Sequence, residues 1–121
     1  PYAEHLAQAP SAHSFFLSGL CLLFGPSSEI VIAGGEIGDT TEEMVDALEC
    51  RYLPFTVILV KDSRNEDALA KVAPFTRDMG AIDGETAAYL CSRHSCSVPV
   101  KGVKELLLGI EKEKDRKKSW V

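Results

Sequence analysis

The hydrophobic positions fall into blocks whose spacing alternates between helical and extended. The first block is the densest. Phe15, Phe16, Leu17, Leu20, Cys21, Leu22, Leu23 and Phe24 follow Ser11, a candidate N-cap, and stop at Gly25-Pro26, so a helix is predicted over 11–24. It is apolar around nearly its whole circumference; only Ser14, Ser18 and Gly19 interrupt it. A helix on the outside of a small sheet keeps a polar face, so this one is either deeply buried or packed against protein outside this chain. The ten residues before it, PYAEHLAQAP, read as a short helix or a linker.

Three short apolar runs follow, at 29–33, 55–60 and 86–91. Their length and β-branched content predict strands, and the first two are near-continuous, as in strands covered on both faces. Helical patterns separate them. Thr40 to Glu43 and Ser63 to Glu66 have the form of capping boxes, leading into apolar stripes at Met44, Val45, Ala47, Leu48 and at Ala68, Leu69, Val72, Ala73. Pro74 interrupts the second, and a short further piece through Met79 is closed by Gly80. Val103, Leu106, Leu107 and Ile110 define a last helix from near Gly102. This alternation predicts an α/β fold: a small three-layer sandwich with a mostly parallel sheet of three or four strands, helices on both faces and right-handed crossovers. The fourth strand is placed around Ser97 to Val100.

Composition narrows the function classes. The chain has 121 residues, 45% hydrophobic and 26% charged, ordinary for one globular domain and unlike a disordered or collagenous chain. Its formal charge of −5 has the wrong sign for a nucleic-acid binder. No apolar run reaches the roughly 18 residues of a membrane span, and nothing marks the chain for secretion, so a cytoplasmic location is expected. No cofactor is called for.

In an open parallel sheet, ligands bind beyond the carboxyl ends of the strands. On the predicted topology that rim collects Gly34, Gly35 and Gly38 after the first strand, Lys61 and Asp62 after the second, and Arg93 after the third. Ala33 to Gly38 reads A-x-G-x-x-G, one residue short of a dinucleotide fingerprint, with Asp62 near the place of its acidic partner. A weak anion or nucleotide site is one reading; a tight glycine turn is the simpler one.

Cys91-Ser92-Arg93-His94-Ser95-Cys96 is the most specific feature. The two thiols can bond as a disulfide, serve with His94 as metal ligands, act as a reactive thiol beside Arg93, or simply pack the strand end. The spacing is not the C-x-x-C of dithiol oxidoreductases. Cys21 and Cys50 lie in helical patterns and are expected as small core residues. His5 and His13 have no partner at ligand spacing, Ser14 and Ser18 lie in no nucleophile elbow, and no catalytic residue is assigned. The mixed-sign tail 111–118, with Glu113 and Lys117 four apart, reads as a solvated helix end fraying near Ser119.

Three stretches together carry a resemblance: Ala9-Pro10 through the Leu-rich helix to Gly34, Arg51-Tyr52-Leu53-Pro54, and Ala88 to Cys96 with Val98-Pro99. Over most of residues 9 to 110 the chain resembles the carboxyl-terminal region of the spermatogenesis-associated (YyaL-like) thioredoxin-domain proteins. The resemblance implies a much longer protein, with an amino-terminal thioredoxin-like domain, an (α/α)6 barrel similar to six-hairpin glycosidases, and a small α/β end. On that basis residues 1–26 are the end of the helical barrel and 27–121 the α/β domain. The partner implied is the rest of the same protein, or a second copy. The full-length family looks like carbohydrate-acting or redox proteins. Cys91 and Cys96 match a family motif, and no catalytic residue carries over.

Overall fold

The computed structural model describes residues 2–34, 39–93 and 95–118. The elements are α1 (Tyr2–Gln8), α2 (Ser14–Phe24), β1 (Ser28–Ala33), α3 (Asp39–Glu49), β2 (Thr56–Lys61), α4 (Glu66–Val72), β3 (Ala87–Ser92), β4 (Ser95–Cys96) and α5 (Val103–Lys118). Single 3-10 turns lie at Pro10–His13 and Pro74–Thr76. The class is α/β, and the four strands lie in the order β2-β1-β3-β4.

The sheet is mixed, which corrects the expectation of a mostly parallel one. β1 and β2 are parallel, with Ser28 opposite Thr56 and Ala33 opposite Lys61. β3 runs antiparallel to β1, with Glu29 opposite Cys91 and Ala33 opposite Ala87. The reason lies in the connection from β2. A parallel β3 would need the chain to travel back along the full strand length, about 20 Å for six residues. α4, at seven residues, spans only about 10 Å before Pro74 interrupts it. The chain instead stays at the edge where β2 ended. Ile82 and Glu85 then exchange backbone hydrogen bonds of 3.0 and 2.9 Å around Asp83 and Gly84, whose φ values are 54° and 78°. An Asp-Gly pair with both residues left-handed is a tight reversal, and it feeds β3 in antiparallel.

One face of the sheet carries the main core. Ile30, Ile32, Ala88 and Leu90 pack against Met44 and Leu48 of α3 and Leu106 and Ile110 of α5. On the opposite face Val31, Cys91 and Met79 form a smaller cluster with Leu59 and Tyr89. Here the covering layer is the irregular segment 74–80 rather than a helix. Tyr89 Oη donates to Gly80 O at 2.8 Å, and α4 contributes no buried residue of its own.

Both predicted capping boxes are displaced. α3 already begins at Asp39, so Thr40 lies inside it. Thr41 is buried, its hydroxyl 3.0 Å from that of Thr86. α4 begins at Glu66 after Asn65, with no side-chain cap from Ser63. Asp62 takes over, its Oδ1 accepting the backbone N–H groups of Arg64 and Asn65 at 2.8 and 3.1 Å. A carboxylate reaches two free amides better than a hydroxyl and suits the helix dipole.

Beyond β3 the chain turns back into β4, with Cys91 opposite Cys96 and Ser92 opposite Ser95. Ser97 N donates to Leu90 O at 2.8 Å in the same register, but Ala88 then bridges Val100. The returning strand therefore holds one extra residue beside Pro99, a bulge at a sheet edge. The strand expected at Ser97 to Val100 is thus centred earlier, at Ser95–Cys96, with Val100 attached by a single bridge.

Candidate functional site

The mixed sheet separates residues that a parallel sheet would have gathered. The carboxyl ends of β1 and β2 share an edge, bringing Gly34 beside Lys61 through a 3.1 Å backbone bond from Gly34 N to Lys61 O. The carboxyl end of β3 lies at the other end of the sheet, beside Glu29. Arg93, Cys91 and Cys96 therefore stand roughly 20 Å from Lys61, a full strand length away. The rim expected to combine Arg93 with Lys61 and Asp62 does not form. Gly35, Gly38 and the rest of the loop they frame lie outside the described residues.

Lys61 and Asp62 are both buried, and both are committed to the fold. Lys61 Nζ donates to the carbonyls of Thr76, Arg77 and Met79 at 2.8, 3.0 and 2.7 Å. An ammonium has three donors, so none remains for a ligand. Asp62 Oδ2 accepts Arg64 Nη2 at 2.7 Å and Nε at 3.2 Å. The Arg64 side chain, with help from the two backbone amides, holds the Asp62 carboxyl below its ordinary 3.8 against the opposing effect of burial.

At the opposite end, Cys91 and Cys96 are bonded as a disulfide, with Cα atoms 4.0 Å apart. The register explains why they meet. Leu90 and Ser97 form a hydrogen-bonded pair, so Cys91 and Cys96, next along the ladder, form a non-hydrogen-bonded pair, in which side chains approach most closely. Arg93, at φ 50°, begins the reversal. The two sulfurs differ in setting. Cys91 is 4% exposed and packs with Val31 and Met79, whereas Cys96 is exposed on the edge strand.

Sequence reasoning missed the polar group that surrounds this hairpin. Ser92 Oγ, Glu113 Oε2 and Arg116 Nη2 close a triangle, with Arg116 donating to Ser92 and to Glu113 at 2.8 Å each. Glu113 pairs with Arg116, three residues on; the pair expected at Glu113 and Lys117 rests on a Lys117 side chain that lies outside the described residues. No spacing in the sequence links Ser92 to α5. A small cleft of about 50 Å³ opens beside it, lined by Ser28, Glu29, Cys91, Glu113 and Lys114 among others. Among the described residues no three His, Cys, Asp or Glu side chains converge as a metal set; His94, the third ligand considered, lies outside them. A bonded Cys91 and Cys96 offer no thiolate to a metal.

The other feature of consequence is α2. It buries none of its residues. Phe15 is 94% exposed, Leu23 71% and Phe24 80%. Leu17 and Leu20 are half-buried; its main contacts are with the preceding 3-10 turn, and Phe16 meets Tyr2 at 5.6 Å between ring centres. Cys21 on α2 and Cys50 after α3 are free and exposed, which corrects their expected place in the core. Cys21 lies within α2, which buries none of its residues, and Cys50 falls just past the end of α3 rather than inside a helix.

No helix among the described residues is long and apolar enough to cross a membrane. No protein-family model matches the chain, and no curated protein or solved structure is significantly similar to it.

Proposed function

We propose that this chain is a structural and interaction domain: the α/β end of a larger cytoplasmic protein, docked through α2 onto a helical domain that precedes it. The observation that carries the reading is an eleven-residue helix without a buried side chain in a sequence that is apolar all round. Such a helix is stable only when covered from more than one side. Burial of Phe15, Leu23 and Phe24 stabilises docking by roughly 1.5–3 kcal/mol each. The same faces left in water form an apolar patch of the kind that marks an interface. The net charge of −5 favours a protein partner over a nucleic acid. The resemblance over residues 9 to 110 supports the same arrangement, since it puts the end of a helical barrel at 1–26.

The test compares the chain with a Phe15→Ser/Leu23→Ser/Phe24→Ser variant by light scattering and thermal unfolding. The expected result is concentration-dependent self-association of the parent, abolished in the variant, with the same unfolding midpoint for both. A monomeric parent whose α2 amides are as protected from hydrogen exchange as those of β1 would show the helix covered by its own sheet, and would overturn the reading.

A further inference from the structure

The Cys91–Cys96 bond joins a buried cysteine to an exposed one, and backbone hydrogen bonds hold the same strands together beside it. β3 is held on one side by five register pairs with β1. On the other, the Ser97-to-Leu90 bond and the two bonds between Ala88 and Val100, at 2.8 and 2.9 Å, keep the returning strand in place. The disulfide closes a loop with a sequence separation of only 5, and loop-closure stabilisation is least for short loops. A structural staple would be expected across a long loop or between elements otherwise unconnected. Here the bond sits at the end of a hairpin that is already closed.

Access then decides the chemistry. In thiol–disulfide exchange the sulfur attacked is the one a thiolate can reach in line. Cys96 is exposed, and Cys91 is buried in the cluster with Val31 and Met79 on the inner side of the hairpin, so an incoming thiolate meets Cys96 first.

We propose that Cys91–Cys96 is a thiol–disulfide exchange site for small thiols of the glutathione class, with Cys96 as the reacting sulfur and Cys91 as the resolving one. A thiolate RS⁻ attacks Cys96 Sγ; the S–S bond to Cys91 breaks, and its electron pair leaves on Cys91, which takes a proton from water. A second RS⁻ attacks the R sulfur of the mixed disulfide, forms RSSR and releases Cys96 as thiolate. Two thiols are oxidised to one disulfide and the pair gains two electrons. In reverse, the Cys96 thiolate attacks RSSR and expels one RS⁻; Cys91 then gives its proton to water, and its thiolate attacks Cys96 Sγ, displacing the second RS⁻ and restoring the bond.

The test uses the 121-residue chain with Cys21→Ser and Cys50→Ser, which removes the two exposed free thiols, in native buffer with set ratios of glutathione to its disulfide. After acid quench and alkylation, mass spectrometry reads the state of the pair. The pair is expected to pass from disulfide to dithiol without denaturant. Added Cys91→Ser should give a glutathione adduct on Cys96 at least tenfold faster than Cys96→Ser gives one on Cys91. Peptide mapping of the transient adduct in the chain that keeps both cysteines gives the same answer without either variant, and should place it on Cys96. A bond that opens only in urea, a pair that stays reduced in excess glutathione disulfide, or an adduct on Cys91 would each overturn the proposal. None of these outcomes bears on α2.

Discussion

Lys61 shows how a charged side chain can be wholly structural. Its ammonium sits at the end of β2 and gathers three carbonyls of the segment 76–79, so it fixes the layer that covers Val31 and Tyr89. Lys61→Met keeps the stem and removes the donors. By loss of charge-assisted hydrogen bonds it should cost about 2–4 kcal/mol, seen as a lower urea midpoint, and should raise hydrogen exchange at Met79 and Gly80 before the rest of the sheet. Asp62 gives a pH signature. Its carboxyl is depressed below 3.8, chiefly by Arg64. Its contribution is therefore complete above the unfolded value and is lost as pH falls through the lower folded value. Asp62→Asn should leave a flatter stability profile than the parent below about pH 4, measured by thermal unfolding from pH 2 to 6; parallel profiles would refute the linkage.

At the scale of elements, two short sequences decide the topology. Asp83-Gly84 was open to view as a turn dipeptide, and together with the stop at Pro74 it argues against a full crossover helix. A strand read as the third of a parallel set was in fact the far arm of a reversal. The β3–β4 hairpin is similar: Arg93 begins a tight turn at φ 50°, which sets Cys91 against Cys96. The Cys-x4-Cys spacing admits that pairing, yet also admits metal ligation, because spacing alone does not say whether the chain between reverses or continues as a strand. α2 was legible differently. Its lack of a polar face calls for a covering on several sides, and the structure buries none of its residues fully.

For the whole molecule, stability rests on a core drawn from residues 30 to 110, between the sheet and the helices α3 and α5. Leu106, fully buried, and Leu23, 71% exposed, make a direct comparison. Leu106→Ala should cost about 2–5 kcal/mol, whereas Leu23→Ala should change the denaturant midpoint of a dilute sample hardly at all. If the Leu23 change destabilises the dilute chain by a comparable amount, α2 belongs to the folding unit and its exposure is not that of the isolated domain.

The elements and their apolar faces were fixed locally. Periodicity, β-branched runs and glycine or proline stops depend on neighbours a few residues away, so β1, β2, α3 and α5 could be read with their boundaries shifted by a residue or two. The uncovered character of α2 was of the same kind. Strand direction, the fate of Lys61 and Asp62, and the inequality of the two bonded cysteines were not. Each depends on which surface a segment returns to across tens of residues: where the chain re-enters the sheet, which carbonyls meet an ammonium, and which cysteine is buried with Val31 and Met79. Packing in three dimensions alone settles those questions, because burial and pairing are properties of the assembled sheet and not of any stretch of chain within it.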